Sequence, residues 1–384
     1  MASGSFNLRK FLCPEFIIGT GAMNLAGNFA LNLEAKKVLI VTDKGIIKAG
    51  WVEKLIKQLK RCKLQFSVFD NVTPNPKDYE VMEGADYFVK ERCDVIVAIG
   101  GGSPMDCAKG ISIVCTNNKH LLEFEGVDKI ETPGIPLICI PSTAGTGADV
   151  SQFAIINDTK RRVKIAIISK KAVPDIALID PLVTKTMERE LTAATGMDAL
   201  CHAFESYVSN ASSEMTDLHA LKAISLIWKY LPLAYKTPNR TEYRDKMMLA
   251  SLFAGIAFSN ASLGLVHSMA HSLGGYLDLP HGECNAVLLE KVVDYNFDSA
   301  SNRYKNICNI LQIDVGKNDT RELLVNKLKE FRAGIGIDYS LGSIGLKKKD
   351  IPRLASNAIK DPCLITNPKK ATLKDIIKCY EKAL

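Results

Sequence analysis

Through about residue 180, short runs of apolar and β-branched residues alternate with stretches whose apolar positions recur every three or four residues. That alternation predicts a parallel sheet covered by helices on both faces. Strands are read at KVLIVTD (37–43), LQFSVFD (64–70), CDVIVAIGGG (93–102) and IPLICIPST (135–143), with helices at 51–62 and 79–93 between them. The later strands are almost unbroken in hydrophobicity, as strands covered on both faces require. Residues 151–168 differ, because the alternating runs SQFAIIN and RVKIAII flank the polar turn Asp158-Thr159-Lys160. This is a hairpin pattern. From Glu188 onward β-rich runs become scarce, and segments such as 216–231 and 242–258 have helical spacing with one broad apolar face. The pattern divides the chain into an α/β unit, residues 1–184, and an all-helical unit, residues 185–384.

Composition narrows the class without naming it. The 384 residues are 47% hydrophobic and 24% charged, within the range of globular chains. Lysine and arginine (49) exceed aspartate and glutamate (42) by +7, too mild an excess over so large a surface to argue for nucleic acid or a membrane. The lysine run 347–349 and the pair 369–370 read as solvated faces. Eleven cysteines, an odd number with no C-x-x-C pair, read as reduced and mostly buried thiols. No apolar run approaches the ~18–20 residues of a membrane span, and the start MASGSFNLRKFLCPEF lacks a leader's apolar core. A soluble cytoplasmic protein is the expectation.

Two loops offer phosphate-binding chemistry. Gly100, Gly101, Gly102 and Ser103 end a strand and lead into PMDCAKGISIV, a helix with proline in its first turn. Without Cβ atoms, backbone N–H groups there can approach a pyrophosphate, and a helix N-terminus adds partial positive charge. Three glycines also make an ordinary tight turn, so this loop alone decides little. The second loop, PSTAGTGADVS (141–151), follows another strand and supplies the hydroxyls of Ser142, Thr143 and Thr146. The G-x-G-x-x-G fingerprint is absent. An acid does occur at a strand end, Asp43, 57 positions before Gly100. It could bind a ribose 2′-hydroxyl and disfavour a 2′-phosphate, or simply cap the helix that follows.

Histidine carries the sharper signal, with six in the chain and five of them in its last half. In ATGMDALCHAFESY, Asp198 and His202 are four apart, so a helix stacks them on one face. In GLVHSMAHSLGG, His267 and His271 repeat the spacing, and His281 follows in the turn-like LPHGE. Imidazoles with a carboxylate suit iron or zinc, and spacing alone leaves His271 open as a further ligand. A lone histidine on an apolar helix is more often a satisfied core residue, but this grouping is not one of lone residues. His120 and His219 lack such company and read as structural or surface residues.

With these motifs assembled, the sequence resembles the iron-containing (group III) alcohol dehydrogenase family over essentially its whole length. The resemblance rests on VTDKGI, VTPNP, AIGGGSPMDCAK, PSTAGTGADV, the hairpin lysine, PDIALIDP, ATGMDALCHAFESY, FSNASLGLVHSMAHSLGGYLDLPHG and IKDPCLITNP. It implies a Rossmann-like nucleotide-binding domain followed by an all-α metal-binding domain, the dehydroquinate synthase-like fold. It also implies metal ligands at Asp198, His202, His267 and His281, and sets His271 apart as a group near the nicotinamide that positions or transfers a proton. Cofactor contacts are implied at Asn75, Asp43, the loop Gly100, Gly101, Gly102 and Ser103, Asp106, Thr143, Thr146 and Lys164. The acid at 43 implies NAD rather than NADP. One departure is T-G-A-D where the family often has T-G-S-E, so Asp149 keeps the charge on a shorter side chain.

The expected reaction interconverts a small primary alcohol or diol and its aldehyde by hydride transfer to NAD. A divalent cation lowers the pKa of bound water from about 15.7 to about 7, worth ~11 kcal/mol toward the anion, and Fe²⁺ or alternatively Zn²⁺ would give an alcohol similar help. A polyol dehydrogenase of the same fold, or a weakly active NAD-binding homologue associated with a scaffold, is the competing reading. Family members commonly form homodimers or larger closed assemblies, which is the expectation here.

Overall fold

The central strands form because runs such as VLIV and VIVAI can bury both faces at once. Among the described residues there are nine strands: β1 (Glu15–Ile18), β2 (Lys37–Val41), β3 (Gln65–Phe69), β4 (Val95–Gly100), β5 (Gly126–Val127), β6 (Leu137–Pro141), β7 (Phe153–Asp158), β8 (Val163–Ile168) and β9 (Ile176–Ile179). The computed structural model describes residues 10–314, 316 and 319–384, so most of the segment inspected for a leader lies outside it. Six strands make one parallel sheet in the order β1-β9-β6-β4-β2-β3. Alternate side chains serve opposite faces. Leu39, Val41, Ile96, Ala98 and Cys139 pack beneath the helices Asp78–Lys90 and Gly102–Asn117. Val38, Ile40, Val97, Ile99 and Ile138 pack against the helix Trp51–Arg61 through Trp51, Leu55 and Leu59.

The four strands read from the sequence are all present, each shorter than its apolar run. Two members of the sheet were not read. β1 is only four residues long and lies at the edge, and β9 is four residues confined between Pro174 and Pro181. Neither is long enough to display a period. The hairpin is present as β7 and β8, paired antiparallel from Phe153↔Ile168 to Asp158↔Val163. Its turn is organised by Asp158, whose Oδ1 accepts from the backbone N–H of Lys160 and Arg161. β5 adds a third strand beside β8.

Chain order explains where a ligand can sit. After β2 the chain runs outward to β3 and then crosses back to place β4 on the other side of β2. The crevice beyond the carboxyl ends of β2 and β4 is therefore a topological switch point, where open α/β sheets bind ligands. Asp43 follows β2 and the glycine loop follows β4, so pairing of Val41 with Ala98 brings these distant segments side by side.

From Arg189 the chain is helical. The helix Arg189–Val208 is buried along nearly its whole length and packs with Glu214–Lys236, Thr241–Ala261 and His281–Asn296 around one core. Among the described residues no single helix is long and apolar enough to cross a membrane. All eleven cysteines are free, and eight of them are buried.

Candidate active site

A cleft of about 1180 Å³ runs between the sheet edge and the helical half. Asp43, Asn75, Gly101, Gly102, Ser103, Asp106, Thr143, Thr146 and Lys164 line it together with Asp198, His202, His267, His271 and His281. Gly100 closes β4 immediately beneath, with φ 155°. The two sets of residues read from the sequence thus share one cavity. His120 and His219 lie outside it, each engaged in a local bond: His120 Nδ1 accepts from Leu122 N–H, and His219 Nδ1 donates to the Met215 carbonyl.

On the sheet side, the loop after β4 opens the helix Gly102–Asn117, leaving that helix's first N–H groups facing the cleft. The second loop packs directly on it. A Cβ on Gly102 would stand 3.0 Å from Thr146 Cγ2, and one on Gly101 would stand 3.2 Å from Thr143 Cγ2. Asp43 is the N-cap of the Lys44–Lys48 helix, its Oδ1 accepting from Ile46 N–H at 3.0 Å, and the residue also lines the cleft. Asn75 N–H donates to Ser103 Oγ at 3.2 Å, and Lys164 Nζ donates to Asn75 Oδ1 at 2.7 Å. Lys164 reaches this point because the hairpin backbone presses on the helix Leu265–Leu277, where a Cβ on Gly275 would come within 2.7 Å of Lys164 N.

Lys109, buried behind the loops, was not singled out from the sequence, and Asp106, half-buried and lining the cleft, makes a structural bond beside it. Asp106 Oδ2 accepts from Ile155 N–H at 3.2 Å, and Lys109 Nζ, one turn further along, donates to the carbonyls of Ser151 (2.8 Å) and Phe153 (2.7 Å). Together they fix β7 to the helix that starts at the glycine loop. Burial pushes the Asp106 and Asp149 carboxyls up to about 6 and holds the Lys109 ammonium below its ordinary range.

On the helical side, Asp198 and His202 occupy one stripe of the helix Arg189–Val208. His267 and His271 lie on the helix Leu265–Leu277, and His281 begins the helix His281–Asn296. Asp198 Oδ1 lies 3.7 Å from His202 Nε2, 3.6 Å from His267 Nε2 and 3.7 Å from His281 Nε2. Donor atoms of Asp198, His267 and His281 all fall within 4.8 Å of one another. A tetrahedral cation with bonds of about 2.0–2.2 Å has ligand-to-ligand edges of about 3.3–3.6 Å, which the three Asp198–imidazole separations approach from above, while His202 is not within 4.8 Å of every other donor.

Polar satisfaction supports the same fit. Asn285 Nδ2 sits 2.6 Å from Asp198 Oδ1, 3.1 Å from His267 Nε2 and 3.2 Å from His281 Nε2. One amide has two hydrogens for three acceptors, and Asn285 Oδ1 is buried with no partner. The donor set is also prepared as metal ligands usually are, with the far ring nitrogen engaged. His202 Nδ1 donates to the Gly145 carbonyl at 3.2 Å, and His267 Nδ1 donates to Glu205. Glu205 also accepts from Val266 N–H at 2.6 Å, tying the start of one ligand helix to the other. Burial would raise the Asp198 carboxyl, but the surrounding imidazoles outweigh it and hold it well below the carboxylate range. Burial lowers His202 to about 4 and takes His281 well below its ordinary value, leaving neutral rings with free lone pairs. It acts on His267 too, where Glu205 and Asp198 prevail and raise it to about 9.

His271 stands apart. Its Nδ1 lies 2.8 Å from Asp361 Oδ2, and its ring stacks on that of His281 with centroids 5.3 Å apart. With Nδ1 committed to Asp361, Nε2 is the nitrogen left for the cleft. Glu205, Asn285 and Asp361 were not singled out from the sequence. Glu205 had a usable signal, an acid three residues after His202 on an apolar helix. Asn285, four residues after His281, had a similar one.

Comparison with known proteins agrees across the chain. Residues 13–181 match the family model "Iron-containing alcohol dehydrogenase", and residues 192–384 match "Fe-containing alcohol dehydrogenase family, C-terminal". The chain is 39% identical to 1,3-propanediol dehydrogenase of Citrobacter freundii, over 99% of this chain and 100% of that one. It is 38% identical to the NAD-dependent methanol dehydrogenase of Bacillus methanolicus, over 97% and 99%. Among solved structures, a 1,3-propanediol oxidoreductase superposes with a TM-score of 0.95 at 37% identity, over 98% of this chain and all of that one. A sulfoacetaldehyde reductase from Bifidobacterium kashiwanohense, solved with NAD⁺, gives 0.88 at 28% identity over 98% and 99%.

Proposed function

The chain belongs to the iron-containing alcohol dehydrogenase family, and from that premise we propose how its residues divide the work of an NAD-dependent alcohol dehydrogenase. The reaction interconverts a small alcohol or diol and its aldehyde. We assign the metal to Asp198, His202, His267 and His281, and the dinucleotide to the cleft formed by Asp43, Asn75, residues 100–103, Asp106, Thr143, Thr146 and Lys164. The observation that carries this reading is the sharing of one cleft by the Asp198-centred cluster and the glycine loop.

When bound, the metal supplies Lewis acidity toward an alcohol or carbonyl oxygen, and the dinucleotide supplies the hydride acceptor or donor. The protein's own part is orientation and proton handling. Glu205 and the Gly145 carbonyl fix two imidazoles so that their Nε2 atoms converge with Asp198. Phe258 stacks on His202 at 4.2 Å and meets Phe153 edge-on at 5.5 Å, giving the cleft beside the donor set an aromatic wall that excludes water. His271, with Nδ1–H held by ionised Asp361, presents an Nε2 lone pair that can take up and release the hydroxyl proton. Asp43 at the end of β2 supports NAD over NADP. We also place the division between the two functional halves at residues 184 and 185, and propose a homo-oligomer working in the cytoplasm, consistent with eleven free thiols.

The test is NADH formation over a panel of short alcohols and diols after anaerobic loading with iron or zinc. Turnover that needs metal and prefers NAD⁺ is expected; NAD binding without metal-dependent turnover on any member of the panel would favour the scaffold-associated reading. His271→Ala is expected to retain metal and lose activity most strongly where the proton must leave, and full activity at every pH would remove His271 from that role.

A further inference from the structure

The three imidazoles are not held alike. His202 and His267 are each oriented by a hydrogen bond from Nδ1, whereas His281 Nδ1 is buried with no partner. The His281 side chain is also the most open of the three, 25% exposed against 5% and 1%. Its Nε2 meets Asn285 Nδ2 at 3.2 Å and its ring stacks on His271, but with nothing held at Nδ1 the ring depends on its backbone for direction more than the other two do. That backbone is the short turn 278–280 joining two helices. On its far side Gly282 rests against the Ala194 carbonyl, which a Cβ would overlap. On its near side Asp278 reaches across the cleft: Oδ1 accepts from Asn75 Nδ2 at 2.7 Å and lies 3.4 Å from Lys77 Nζ. Asn75 is in turn held by Lys164 through its Oδ1. Asn75 (φ 56°) and Asp278 (φ 52°) are both left-handed, Asp278 as the C-cap of the helix Leu265–Leu277.

We propose that Asp278 is a positioning residue that ties His281 to Asn75 and Lys164, so that retention of the metal by the helical half depends on the cofactor-binding half. The inference rests on the assignment of His281 as a ligand. Of the three imidazoles, His281 is the one whose release opens the site, and Asp278 sets how often it does so. Because coupling between two sites is reciprocal, a cofactor that orders Asn75 and Lys164 also slows metal loss.

The experiment follows release of zinc from the loaded protein into an excess of chromogenic chelator, with no turnover involved. Asp278→Gly keeps the left-handed turn while removing the carboxylate, and is expected to release zinc about 10-fold faster, the lower end of what outer-shell partners contribute. Asp278→Asn, which can still accept from Asn75, stays close to the wild-type rate. Asn75→Gly cuts the same tie from the other side without touching the turn, accelerates release similarly, and carries the test alone if Asp278→Gly does not fold. The double variant is no faster than either single one. Saturating NAD⁺ slows release in the wild type and loses that effect in Asp278→Gly. Release from Asp278→Gly at the wild-type rate, multiplicative effects in the double variant, or equal slowing by NAD⁺ in both proteins would overturn the tie. A separate control tests the underlying assignment: if His281→Ala binds and releases zinc like the wild type, His281 is not a ligand and both readings fail.

Discussion

The two halves of the cleft are built by opposite means. The sheet half is built largely on backbone, with glycines, a helix N-terminus and small hydroxyls in two loops, and only a few longer side chains, Asp43, Asn75 and Lys164, around them. The helical half is built on side chains from three helices, two of them, His202 and His267, aimed by the Gly145 carbonyl and by Glu205. Shape must be kept clear of atoms on one side, and chemistry must be held in register on the other. Buried carboxylates show the same contrast. Asp198, ringed by imidazoles, is held in its charged form, while Asp149, with burial dominant, is pushed toward neutrality.

The comparison is broken most severely at Asp198. Asp198→Ala removes the one oxygen lying 3.6–3.7 Å from all three imidazoles. It should abolish tight metal binding and lower kcat/KM on the order of 10³-fold or more, with NADH affinity changed little. Elemental analysis beside NADH fluorescence titration checks it. The reciprocal change is Gly102→Val, whose Cβ would press on Thr146 Cγ2 at 3.0 Å. The expected result is NADH binding weaker by about 10- to 100-fold at undiminished metal content. If either variant damaged both ligands equally, the division between backbone and side-chain recognition would be wrong.

The smallest effect on catalysis is expected at Asp149, where pH sharpens the contrast. Its carboxyl is raised from 3.8 to about 6, led by burial, so ionisation costs the folded state more than the unfolded one. That cost is absent below about pH 4, grows as pH rises toward 6 and is complete above it. Asp149→Asn should therefore be more stable than the wild type above pH 6, by at most about 3 kcal/mol, and indistinguishable from it near pH 4. Denaturant unfolding at the two pH values measures the difference.

The same contrast explains what could be read from the chain. The glycine loop is contiguous, and Asp198 with His202 or His267 with His271 are helical neighbours, so spacing exposed them. The joining of these segments in one cleft follows from sheet order and helix packing, which no local pattern contains. Short elements were lost for want of a period, as with β1 and β9. Asp361 carries an unremarkable residue type, and its part appears only where its turn, 90 residues on, meets His271, whereas Asn285 stood one helical turn after His281. Asp43 shows a local reading met in full, since its carboxylate caps the helix that follows β2 in a residue that also lines the cleft.

The most direct measurement is an anomalous-difference density map from crystals grown with metal and NAD⁺, collected at the metal's absorption edge. The account predicts one peak within about 2.0–2.3 Å of Asp198 Oδ and of Nε2 of His202, His267 and His281, with His271 outside the coordination sphere and the dinucleotide on the glycine loop. A peak ligated by His271, or a metal bound away from Asp198, would contradict it.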